Sequence, residues 1–280
     1  MWASAGLSDE PSGREPGISD STYGGPLQDG ASAGSLRCLL DLDTDLADEL
    51  ELDIRRSVRA AALAIVLDIP PGPLPMTDWL ALAARGLGIL VIDGIVDAEV
   101  GVGGRTASEL LGSGDLIQPA GCVHDELLAC GAAWRALVPV RLGILDHGFV
   151  KRVRFWPQLH RALLRRAGGH AHDLNVQRAI AMQPRLEVRI TLMLWHLAAR
   201  WGKVEPGGIR LPLPLTHQLL GRLIGAERPS VSHALARLAR AGTVTRYGDE
   251  WHLHHGAADQ FDRIGQVEQL APIARSWRGP

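Results

Sequence analysis

Leu215–Val244 reads LTHQLLGRLIGAERPSVSHALARLARAGTV, two short helical patterns split by a glycine. Thr216 is suited to cap the first, because its hydroxyl can accept an orphan backbone N–H. Leu220 and Ile224 lie one turn apart on an inward face. Gly221 admits a second helix at close range, and Gly225 suits the left-handed residue of a tight turn. In the second pattern Val231, Leu235 and Leu238 recur at spacings of four and three, which makes them one buried stripe. Gly242 stops that helix. The segment therefore predicts two helices packed across a turn.

Immediately downstream, Thr243–Tyr247 and Glu250–Leu253 flank a Gly248-Asp249 turn, the pattern of a β-hairpin. A hairpin placed there is a wing, and the whole is a winged helix-turn-helix. A second helix of this kind offers its N-terminal side chains to base edges in a major groove. The exposed positions are Arg228, Ser230, Ser232 and His233, with Arg237 a turn later. Arginine is the commonest reader of guanine. Thr216, His217 and the wing residues Thr245, Arg246 and Tyr247 are candidates for backbone contact. The plain alternative for each is a solvated surface side chain, and winged helices also serve as protein-binding modules.

Upstream, residues 174–202 read as one long helix in which Leu186, Ile190, Met193 and Leu197 recur at four, three and four. Such a seam fits either packing within one domain or pairing with a second copy in a homodimer; the dimerisation helix is the reading adopted. Residues 35–173 form a strand-rich unit with flanking helices. A first helical stretch is expected over 45–59. Ala61–Ile69 is an apolar run stopped by Pro70-Pro71-Gly72-Pro73. Gly88–Ile92 and Ile95–Val102 flank Asp93-Gly94, a strong hairpin signal. Pro157 is suited to open a helix. Residues 1–34, rich in Gly, Ser, Pro and Asp, read as a disordered tail. Residues 203–256 hold the winged unit and 257–280 a C-terminal extension. The fold class is α+β: an N-terminal β-roll, a long helix and a C-terminal winged helix-turn-helix.

With 46% hydrophobic and 21% charged residues in 280, the chain can bury full cores. Its net charge of -2 is unevenly shared: residues 1–130 hold 21 acidic and 7 basic side chains, residues 131–280 hold 10 and 22. A basic half that meets a polyanion fits that split. No apolar run spans a membrane and no secretory leader is visible, so a cytoplasmic protein is expected. Cys38, Cys122 and Cys130 form no CxxC pair, and Cys122 and Cys130 read as small buried hydrophobes, with a redox-active pair as the alternative. His170-Ala171-His172-Asp173, in a glycine-preceded loop, and His252, His254 and His255 have ligand types without a metal-site pattern. Gly101-Val102-Gly103-Gly104 is no dinucleotide fingerprint. No enzyme signature occurs, and no cofactor or metal is expected.

The segment quoted above resembles the DNA-binding domain of the Crp/Fnr family of bacterial transcription regulators. LLGSGDLIQP (Leu110–Pro119) resembles the glycine-centred turn of that family's cyclic-nucleotide-binding-like roll. The resemblance covers about residues 36–256. It implies a homodimer that reads an imperfect palindrome in double-stranded DNA, with RNA polymerase a possible partner and an effector whose identity is open. The family's Arg–Glu–x–x–x–Arg recognition pattern falls on Arg228, Pro229 and His233; only the first arginine is kept. After Gly114-Asp115 the chain offers Asp125 and Glu126 but no arginine before Arg135. That argues against a cyclic phosphate and for another ligand or none. The expected function is a sequence-specific DNA-binding transcription regulator; the alternative is an interaction or scaffolding module that has kept the fold.

Overall fold

The computed structural model describes residues 34–118 and 130–254. It begins with β1 (Ser35–Cys38) and three short helices, α1 (Leu39–Leu42), α2 (Thr44–Asp48) and α3 (Leu52–Val58). The single stretch expected over 45–59 is thus two helices. Asp43 caps α2, its side chain accepting from the Leu46 N–H at 2.8 Å, and Leu50 turns into the core between them.

The strand-rich unit follows as β2 (Leu63–Ile69), β3 (Gly72–Pro73), a helix α4 (Met76–Ala83), β4 (Gly88–Asp93), β5 (Ile95–Val102), β6 (Arg105–Gly112), β7 (Leu116–Ile117), β8 (Cys130–Ala136) and β9 (Val140–Leu145). They form two sheets, β1-β2-β9-β4-β7 and β3-β8-β5-β6, with antiparallel pairing throughout. Leu67, Ile89, Val91, Val96 and Leu142 fill the space between them, with Trp79 of α4 buried alongside. This is the expected roll.

One turn behaves differently from its sequence signal. β4 and β5 flank Asp93-Gly94 but do not pair with each other: β4 joins β9 and β7, and β5 joins β6 and β8. Gly94 (φ 91°) is a corner between sheets, where a Cβ would lie 2.4 Å from the Pro139 carbonyl oxygen. The hairpin is β5–β6, turned by Gly103-Gly104 with φ of 58° and 76°, as a two-residue primed turn requires.

After α5 (His147–Val153), Pro157 opens α6 (Pro157–Ala181), which runs through Gly168-Gly169 and carries His170, His172 and Asp173 on a helix, not in a loop. Pro184 then interrupts the chain before α7 (Leu186–Trp201), because the residue before proline avoids the helical region. The dimerisation helix expected over 174–202 is therefore corrected to two helices. β10 (Lys203–Glu205) and β11 (Gly208–Leu211) precede α8 (His217–Ile224), α9 (Arg228–Arg240) and the wing, β12 (Val244–Tyr247) and β13 (Glu250–His254). The last four strands form one sheet, β10-β11-β13-β12.

The seam expected on α7 is corrected as well. Ile190 and Met193 are fully buried and Leu197 nearly so, within one core shared with Leu220, Ile224, Val231 and Trp251; Leu186 packs against it. Ile190, Met193 and Leu197 hold α7 beneath α8 and α9 and have no surface left for a second copy, and Leu186 is half-buried against the same core. The C-terminal unit thus starts at α7. Among the described residues no helix is long and apolar enough to cross a membrane.

Candidate nucleic-acid interface

Thr216 caps α8, its hydroxyl accepting from the Leu219 N–H at 3.0 Å. Gly225 ends that helix in the left-handed region (φ 68°, ψ 42°). Ala226 N–H then donates to the Gly221 carbonyl at 2.8 Å, and a Cβ on Gly221 would stand 2.4 Å from the Ala226 oxygen. The turn that aims α9 therefore depends on a glycine inside α8 as much as on Gly225. Pro229 sits in the first turn of α9, where its missing N–H is no loss. Val231, Ala234, Leu235 and Leu238 face the core. Arg228, Pro229, Ser230, His233, Ala236 and Arg240 are exposed.

Thr216, His217, Arg228 and Arg246 line one open depression of about 380 Å³, together with Gln218. Gln218 carried no strong signal in the sequence beyond its place in the first turn of α8. His217 Nδ1 lies 2.8 Å from Ser232 Oγ, and Ser232 Oγ lies 3.0 Å from the Arg228 carbonyl. Burial, then the charges of Arg246 and Arg228, hold the His217 imidazole below its ordinary pKa. Arg246 donates to the Gly248 carbonyl at 2.9 Å and lies over the Trp251 ring at 5.2 Å, so the wing holds its guanidinium in place. Tyr247 is exposed at the wing and meets His252 edge-on. Thr245 Oγ1 lies 2.9 Å from His254 Nε2, inside the wing. Arg237 stands apart from the depression, paired with Glu187 at the start of α7. Ser230 and His233 are free on the surface of α9, with no side-chain hydrogen bond among the described residues.

This reader is docked on the roll. Arg222 of α8 reaches Asp97 and Glu99 of β5, each at 2.8 Å, and Ser108 Oγ of β6 at 3.0 Å. Gln177 of α6 donates to the carbonyls of Ser108 (2.6 Å) and Leu223 (3.1 Å). Arg200 of α7 binds the Asp115 carboxylate at 2.7 Å and the Ser113 carbonyl at 2.8 Å. Trp201 lies where a Cβ on Gly112 would be, 2.7 Å away. The Gly114-Asp115 turn is thus a structural joint: the Asp115 carboxylate also accepts from the Gly112 N–H. Cys122, Asp125, Glu126 and His255 lie outside the described residues. Cys130, expected as a buried hydrophobe, is exposed at the open end of β8, and Cys38 is half-buried with its thiol toward the Arg59 carbonyl.

A winged two-helix reader carried under an antiparallel roll defines the class. Residues 188–255 match the family profile of the Crp-like helix-turn-helix domain. The chain is 30% identical over 92 residues to the CRP-like cAMP-activated global transcriptional regulator of Mycobacterium tuberculosis, a match that covers 33% of this chain and 41% of that relative's length. Among solved structures, the c-di-GMP-responsive global regulator of Xanthomonas campestris aligns with a TM-score of 0.52 at 16% identity, over 76% of this chain and 99% of that one. A cyclic nucleotide-binding domain containing protein from Listeria monocytogenes gives 0.51 at 14%, over 59% and 78%. Residues 188–255 thus form a Crp-like helix-turn-helix domain, and the chain carries it with an antiparallel roll whose fold aligns with those two solved structures.

Proposed function

We propose that the chain is a sequence-specific transcription regulator that binds double-stranded DNA as a homodimer over an imperfect palindrome. The observation that carries this reading is the convergence of Thr216, His217, Arg228 and Arg246 on one cationic depression beside the exposed face of α9. Phosphate contacts there position the reader, and Arg228 and His233 reach base edges. Pro229, in place of an acceptor, offers only an apolar contact, suited to a thymine methyl. Arg237, tied to Glu187, braces α9 against α7 more than it reads DNA. DNA places the protein in the cytoplasm, where RNA polymerase is a further partner.

The homodimer seam belongs on α6. Leu164 (60% exposed), Gly168, Ala171 and Asn175 recur at four, three and four along its open face, and Met182 (78% exposed) caps its C-terminal end. The effector is a ligand other than a cyclic nucleotide, or there is none: the one carboxylate of the glycine-centred turn, Asp115, is already consumed by Gly112 and Arg200. The test is selection of bound genomic fragments by the purified protein. A shared palindrome is the expected result. No enrichment, with or without cell extract, contradicts the reading and favours a scaffold.

A further inference from the structure

We propose that the depression between the start of α8, the start of α9 and the wing is a phosphodiester-binding site that loads a proton onto His217 as it closes on DNA. This deepens the DNA-binding reading and rests on it. The geometry begins at Ser232, which has one hydroxyl proton and two neighbours, the Arg228 carbonyl at 3.0 Å and His217 Nδ1 at 2.8 Å. When the hydroxyl donates to the carbonyl one turn back, Nδ1 must carry the hydrogen and donate to Ser232 Oγ. Nε2 is then the nitrogen left over, and among the described residues it has no hydrogen-bond partner. In the neutral ring Nε2 is a lone pair, which repels a phosphate oxygen. In the imidazolium it is an N–H, which makes a charge-assisted bond to the same oxygen.

The groups facing the ring from each packed element are Arg228 on α9, Arg246 on β12 and the Trp251 ring on β13, 6.3 Å between centroids. Asp249, across the wing turn, touches the outer edge of Arg246 at 3.3 Å. In free protein, burial and the two guanidinium charges disfavour the imidazolium. A phosphate seated between the two guanidiniums and the ring offsets their repulsion and favours the imidazolium. The bound complex therefore holds the proton at a pH where the free protein does not. By linkage, affinity rises as pH falls through the window between the free and bound values, and is level on either side. The maximum effect is about tenfold per pH unit for each histidine engaged.

The test uses the full chain and a duplex selected as above, at constant salt, between about pH 5.5 and pH 8, the range in which imidazole titrates. Wild type, His217→Gln and His217→Arg are compared, and calorimetry in two buffers of different ionisation enthalpy counts protons. Wild type is expected to take up protons and bind several-fold tighter at the acid end. His217→Arg should bind tightly with the pH dependence gone, and His217→Gln weakly and without it. Wild-type binding that is level with pH overturns the proposal. So does a slope that survives in His217→Gln, which assigns the proton to His233 or His252. Absence of duplex binding at every pH removes the DNA reading itself, a result separate from pH-independent binding.

Discussion

His170 shows how a single side chain ties a helix to the roll. Its Nε2 lies 2.9 Å from Glu109 Oε2, linking α6 to β6, and that hydrogen bond raises its pKa above the ordinary histidine value against the opposing effect of burial. A folded-state value above the unfolded one means that the pair's stabilisation is fully present below the unfolded value. It is lost as pH rises through the folded one. The expected outcome is a stability that declines over that window in wild type and is level in His170→Gln, measured by urea unfolding at a series of pH values. At the same scale, Arg228, Val231, Leu235 and Leu238 were legible in sequence, because helix periodicity and first-turn position are local properties. Gln218 and the Glu187 partner of Arg237 were not, since neither a depression formed by three elements nor a pair 50 residues apart leaves a local trace.

Among elements, the burial of the α7 seam moves the proposed dimer contact to α6. The heptad-like spacing of Leu186, Ile190, Met193 and Leu197 is real, but one period describes any buried helix face, whether a domain or a second copy covers it. α6 hides its signal differently. Small residues, Gly168 and Ala171, interrupt its open stripe after Leu164, so that no continuous hydrophobic pattern marks it. Two variants separate the roles. Leu164→Glu should dissociate the dimer with the monomer still folded, as read by sedimentation and circular dichroism. Ile190→Glu should unfold the C-terminal unit, because an unpaired carboxylate in a fully buried site costs several kcal/mol. Monomers produced by a folded Ile190 variant would return the seam to α7. The Asp93-Gly94 corner carries a similar lesson: a turn dipeptide specifies a bend, and only the sheets decide whether its flanks pair.

Over the whole molecule, Arg222 ties reader to roll. It bonds to Asp97, Glu99 and Ser108, and Asp97 is nearly inaccessible, with its second carboxylate oxygen unpartnered. Burial raises the Asp97 pKa despite Arg222 beside it. Arg222→Ala leaves that carboxylate buried without its cation, so the docking surface should open. Faster hydrogen exchange in β5, β6 and α8, with the core of α9 unchanged, is the expected result; unchanged exchange would show that the apolar contacts alone hold the reader in place. The charge split seen in sequence acquires a physical meaning here, since acidic β5 meets a basic helix of the reader inside one chain. That intramolecular use absorbs part of the asymmetry, while Arg228 and Arg246 remain directed outward for a polyanion.

The most direct measurement is the affinity of the full chain for its selected duplex and for a scrambled duplex, across a salt series, in wild type and Arg228→Ala. Affinity should fall steeply with salt for both proteins, since phosphate contacts dominate that slope. Wild type should prefer its own duplex, and Arg228→Ala should lose about 1–3 kcal/mol of that preference per half-site, with the scrambled duplex little affected. A salt-independent response, or equal binding of both duplexes by wild type, would contradict the DNA-binding reading.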